Sequence, residues 1–138
     1  MQPIKQIEHD IKVIIDTCDY LIHAEKFDDL INFYTEDAIL VIKPEVIARG
    51  REQIKSAFIK IAAYFDNSIK PIEGQMLYLV TGDTVLVLAQ TFLEASQTAT
   101  DKSDYAMERR ATYIFRKVDG KWLCAIDNSY GTSLLDSL

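Results

Sequence analysis

Residues 110–130 read RATYIFRKVDGKWLCAIDNSY, and this stretch decides the fold class. Two β-rich runs, Tyr105–Val118 and Lys121–Tyr130, flank Asp119-Gly120. An Asp-Gly pair between such runs is a strong signal for a two-residue hairpin turn, because both central residues need positive φ. In the second run Trp122, Cys124 and Ile126 alternate with Leu123 and Ala125. Both faces are apolar, which predicts that both are covered.

Working outward, the strand period extends upstream. Met76–Val80 and Thr84–Leu93 are joined by Gly82-Asp83, a glycine-first pair suited to a type II′ turn. The four runs predict an antiparallel meander. Before them the period is helical. Ile4, Ile7, Ile11, Ile14, Ile15, Cys18, Leu21 and Ile22 predict a long amphipathic helix, with Glu8, Asp10, Lys12, Asp16 and Asp19 on its other face. A second helix is predicted from Phe27 to Tyr34. Ala38–Ile42 reads as a short buried strand, and Val46-Ile47-Ala48 as another beyond Pro44. Gly50 opens a third helix with Ile54, Ala57, Phe58, Ile61, Ala62 and Phe65 on its apolar face; Asp66-Asn67-Ser68 ends it. Ser96–Asp104 is polar and predicts a long loop.

Helices first and strands after them predict an α+β domain, with three N-terminal helices on one face of a curved antiparallel sheet. The helices cover one face only. The other face, expected to carry Trp122, Cys124, Ile126 and Asn128, is predicted to form a homodimer interface, since a monomer would expose it.

Composition bounds the function. The chain has 138 residues, 49% hydrophobic and 26% charged, enough for one ordinary core, and residues 1–138 read as a single domain. The net charge of −6 and the pI near 4.8 argue against nucleic acid and anionic membrane as partners, because both demand a basic surface. Cys18 and Cys124 are far apart in apolar surroundings and read as inert buried thiols. With no signal-peptide pattern at the start, a cytoplasmic location is expected. No metal-ligand spacing, dinucleotide glycine motif, phosphate loop or nucleophile elbow occurs, so neither a metal nor a cofactor is expected.

The stretch Phe33-Tyr34-Thr35-Glu36-Asp37-Ala38, followed by Arg49-Gly50-Arg51-Glu52-Gln53-Ile54, resembles the start of a SnoaL-like domain. The run from Arg110 to Trp122 resembles its closing hairpin. The resemblance implies the cystatin-like cone of the nuclear-transport-factor-2 superfamily, in which a curved sheet wraps a long helix and leaves a pocket at the open end. That superfamily includes ketosteroid isomerases, polyketide cyclases, scytalone dehydratases, limonene epoxide hydrolases and non-catalytic assembly domains, so the fold leaves the function open. The tyrosine, base and second acid of ketosteroid isomerases fall near Cys18, near Ile42 or Lys43, and near Tyr113. None matches, and steroid isomerisation is not expected.

Other polar groups are candidates for a pocket. Strict alternation puts Asp127 on one face with Leu123, Ala125 and Ser129, and the resemblance implies that this face is concave. A carboxylate buried there would have a raised pKa and serve as acid or base; otherwise it is a structural carboxylate at a strand end. Arg109 shares parity with Ala111, Tyr113 and Phe115 and would pair with Asp127 or an anionic ligand, or else be a solvated strand end. Tyr20, Tyr34 and Tyr113 are candidate hydroxyl donors to a ligand, or core aromatics; Tyr34 leads because the resemblance implies an aromatic beside the cavity. Ser129 completes the ligand-binding set. His23, at the end of the first helix, suits the helix dipole. The expected function is that of a small dimeric domain with an apolar pocket for a small metabolite. The alternative is an isomerase, cyclase or dehydratase-type enzyme using Asp127 as acid or base.

Overall fold

A computed structural model describes residues 2–43, 45–102 and 108–129. Helix α1 (Ile4–His23) buries Ile7, Ile11, Ile15 and Leu21 on one stripe. Helix α2 is a single turn, Phe27–Leu30, with Asp28 and Asp29 in its first turn, where the helix dipole favours them. A 3₁₀ turn, Ile31–Phe33, leads into strand β1 (Tyr34–Lys43). The helix predicted as far as Tyr34 therefore stops early, and Tyr34 is the first strand residue. Strand β2 (Val46–Arg49) folds back on β1, and helix α3 (Gly50–Tyr64) buries Ile54, Ala57, Phe58 and Ala62.

Strands β3 (Lys70–Thr81), β4 (Thr84–Glu94), β5 (Glu108–Val118) and β6 (Lys121–Asn128) form the expected meander. Gly82 alone is at positive φ in the first hairpin turn, whereas Asp119 and Gly120 both are in the last, as the two turn types require. The polar stretch expected as loop contains a short helix, α4 (Gln97–Lys102). Its signal was Ser96, whose hydroxyl oxygen accepts the Ala99 N–H at 3.2 Å as a helix cap does. Ala99 is fully buried beside Phe65, Ile69 and Leu93.

The sheet order is β2-β1-β6-β5-β4-β3. All neighbours are antiparallel except β1 and β6, which run parallel, so the sheet is mixed rather than antiparallel throughout. The meander starts at the far edge with β3 and works back until β6 lies beside β1. Helices α1 and α3 pack on the same face, α1 against β3 and α3 against β1. The main core fills the space between, and no helix among the described residues is long and apolar enough to cross a membrane.

Two β-bulges reset side-chain parity, and both bear on the site. In β3, Glu73 opposes Thr91 and Met76 opposes Ala89, so two residues, Gly74 and Gln75, face only Gln90. In β6, Cys124 opposes Phe115 and Ile126 opposes Ile114, which makes Ala125 the extra residue. A bulge switches the faces of all residues beyond it. Hence Trp122 and Cys124 lie in the core, 7% and 6% exposed, and are not on the outer face as alternation suggested. Ile126 and Asn128 do lie on the opposite face from Asp127.

Candidate functional site

The concave side of the sheet, α1 and α3 enclose a cavity of about 100 Å³. Its walls are largely apolar: Ile15 and Ile22 from α1, Phe58 and Ile61 from α3, Leu40 from β1 and Phe115 from β5 among them. Every hydrophobic side chain here gains free energy by leaving water. The polar groups that share the cavity must find partners with one another, because an unsatisfied buried polar group costs several kcal/mol, about 1–3 in proteins.

Asp127 is 7% exposed on the last turn of β6 before the chain leaves the sheet. Its Oδ2 accepts the Tyr34 hydroxyl at 2.7 Å, and its Oδ1 accepts the Ser129 hydroxyl at 2.9 Å. The β6 bulge turns it inward, so it shares its face with Trp122 and Cys124 instead of Leu123 and Ala125. Tyr34 is anchored at the head of β1: Arg51 of α3 donates Nε and Nη2 to the Tyr34 carbonyl oxygen at 3.0 and 2.8 Å. Burial, and then the nearby charge of Asp127, push the Tyr34 hydroxyl well above its ordinary pKa, so it stays a proton donor. Three residues singled out from the sequence thus meet in one hydrogen-bonded group.

Tyr113 also lines the cavity, on β5, with its hydroxyl 3.3 Å from Thr91 Oγ1. Burial, then the charges of Glu73 and Asp127, raise its pKa as well. Tyr20 is excluded from the site. It lies 58% exposed on the outside of α1 with Lys26 5.7 Å over its ring, because it falls on the opposite side of the helix from Ile7, Ile11 and Ile15. The Arg109 backbone pairs with Thr91, and its side chain lies outside the described residues. His23 Nδ1 sits 3.1 Å from the Ile69 carbonyl oxygen, a structural contact at the end of α1.

Two carboxyl groups complete the site, Asp19, which the sequence reading put on the polar face of the first helix, and Glu73, which it did not single out. Asp19 of α1 and Glu73 of β3 both line the cavity and interact through a hydrogen bond. Burial, then the neighbouring charge of Glu73, push the Asp19 pKa up to about 9. Burial raises Glu73 too, against hydrogen bonds from Asp19 and Thr91 that lower it. Thr91 Oγ1 donates to Glu73 Oε1 at 3.2 Å, while Glu73 Oε2 is shut off from solvent with no partner atom but a protonated Asp19. Asp19 accordingly holds the proton of the pair near neutral pH and donates it to Glu73. A signal for Asp19 existed in the sequence. It is four residues after Ile15 and three before Ile22, so it belongs to the buried stripe of α1 and not to the solvated one. For Glu73 there was none, because only the β3 bulge turns it inward.

Cys18 and Cys124 stand in the same wall as free thiols, both pushed up in pKa chiefly by burial, which keeps them protonated and poor nucleophiles.

No protein-family model matches the sequence, and no curated protein does either. Solved structures do match it in shape. A protein of unknown function with a cystatin-like fold from Nostoc punctiforme superposes with a TM-score of 0.77 at 14% identity, over 95% of this chain and 98% of its own. A nuclear-transport-factor-2-like protein from Novosphingobium aromaticivorans gives 0.74 at 15% identity, over 95% and 88%. A candidate scytalone dehydratase, also from Novosphingobium aromaticivorans, gives 0.66 at 15% identity, over 90% and 83%. The chain therefore has the cystatin-like fold of nuclear-transport-factor-2-like proteins, an α+β cone of helices against a curved mixed sheet.

Proposed function

We propose that this protein is a small acid–base enzyme that moves a proton on a small apolar molecule, with Asp127 as the base and Tyr34 as its hydrogen-bond partner. The observation that supports this most is Asp127 itself, a carboxyl group at the wall of an apolar cavity within 2.7 Å of a phenol. A fold needs no carboxylate there for stability, since charged side chains are rarely buried without cause. The Tyr113 hydroxyl is the donor available to a substrate carbonyl, and the charge that develops on its oxygen would be stabilised by it. The dehydratase-like neighbour in fold is consistent with that class of reaction.

The test needs no natural substrate. Cyclopentanone is small enough for the cavity, and its α-hydrogens exchange with deuterium when a base removes them. Wild type is expected to speed this exchange, followed by proton NMR, at least about tenfold over Asp127→Asn. Equal rates for the two proteins at equal fold would end the acid–base reading and leave a binding domain.

The domain is proposed to work as a homodimer through the outer face of the sheet. The supporting observation is a row of apolar residues in register across five strands: Leu79, Leu86, Ile114, Ile126 and Ile39. Leu77 and Leu88, paired beside this row, are 55% and 40% exposed. A monomer would leave this belt in water. Replacing Leu79 and Leu88 by lysine should convert the dimer to a monomer in sedimentation at micromolar concentration. Wild type sedimenting as a monomer would overturn the assignment.

A further inference from the structure

The cavity gathers acidic groups. Among its described lining residues there are three carboxyl groups, Asp19, Glu73 and Asp127, and no lysine, arginine or histidine. Asp127 is served by the Tyr34 and Ser129 hydroxyls. The pair formed by Asp19 and Glu73 is different. Thr91 serves one oxygen of Glu73, and the other, Oε2, is sealed from solvent and meets no donor but the proton of Asp19. An apolar enclosure makes a negative charge without a positive partner costly, and a cavity next to it gives a partner room to enter.

Resting on the reading that the cavity holds a small apolar molecule, we infer that this molecule carries a protonated amine, which docks on Glu73 and Asp19 while its apolar body lies against the ring of Phe58 and the side chain of Ile61. An ammonium group brings three N–H donors, enough to fill Glu73 Oε2 and an oxygen of Asp19 together. It would replace the proton that the pair now shares. Aromatic rings of Tyr34, Phe58, Phe65 and Tyr113 in the wall also favour a cation over an anion. A carboxylate ligand meets only acidic groups here, and an alcohol brings one donor and no positive charge to the pair. The cavity of about 100 Å³ suits a small apolar body such as a branched four-carbon chain.

Isobutylamine, isobutanol and isobutyrate share one apolar body and differ in charge. Binding of each to the full chain at neutral pH is read from amide chemical shifts in an NMR titration. Isobutylamine is expected to bind at least about tenfold more tightly than isobutanol, with isobutyrate weakest. In Glu73→Gln, and independently in Asp19→Asn, the preference for the amine should fall to within about threefold. Isobutanol binding as tightly as isobutylamine to wild type overturns the amine assignment and leaves the apolar pocket standing. Binding of none of the three overturns the pocket itself. A preference for the amine that persists in both variants places the cation elsewhere and refutes the role of this pair.

Discussion

Replacing Asp19 by asparagine should flatten the dependence of stability on pH. Asp19 has its pKa raised from 3.8 to about 9 by burial and by Glu73, with Asp16 and Asp127 adding in the same sense. Since the folded value lies above the unfolded one, the folded chain keeps a proton that the unfolded chain has released. Stability is then full below about pH 4, declines as pH rises, and levels off above about pH 9. Each unit in that window costs at most about 1.4 kcal/mol, so the loss from about pH 5 to about pH 8 is up to about 4 kcal/mol. That is a large part of a typical total of about 5–15 kcal/mol. Tyr113, Tyr34 and Cys18 beside the pair are raised in pKa and stay neutral across the window, while Asp16 and Asp127 are common to wild type and variant. Asparagine keeps a neutral donor toward Glu73 and has no proton to lose. Urea unfolding at the two pH values should show wild type losing midpoint concentration steeply and Asp19→Asn far less. Glu73, raised in the same direction, should leave a residual slope that Asp19→Asn/Glu73→Gln removes. A wild-type slope no steeper than that of the single variant would refute the shared proton.

Two further outcomes follow from the packing. Tyr34→Phe removes the hydroxyl that Asp127 Oδ2 accepts, and should lower stability by about 1–3 kcal/mol in chemical denaturation while leaving the circular dichroism unchanged. Trp122→Ala should cost about 3–5 kcal/mol, because the bulge at Ala125 puts this ring in the core; a loss near zero would instead return it to the outer face.

Local signals in the sequence carried a good share of the architecture. The Asp119-Gly120 and Gly82-Asp83 turns, the period of α1 and the change from helical to strand period place α1, α3 and the meander where the structure has them, because turn chemistry and amphipathic period are properties of neighbouring residues. Tyr34, Tyr113, Asp127 and Ser129 do meet at one cavity. Tyr20 does not, and its error is one of helical phase: it lies one residue past Asp19, which faces in. The cap at Ser96 is decided within a few residues, although the stretch reads as a loop on composition.

The faces of β3 and β6, and with them the chemistry of the site, were decided only by tertiary structure. Alternation along β6 places Trp122 and Cys124 outside and Asp127 opposite them; the extra residue at Ala125 brings all three inside. Alternation along β3 sets Glu73 against Met76, Tyr78 and Val80; the two residues at Gly74 and Gln75 reverse it. A bulge forms where a strand must bend over its neighbours while keeping its hydrogen bonds, and that demand comes from the partner strands and the helices beneath them. The parallel pairing of β1 with β6 has the same origin, since it joins segments far apart in the chain. What residues 1–138 fixed by themselves was which segments form and how most of them turn; which carboxyl groups share one largely apolar cavity was fixed by the packing of distant segments against each other.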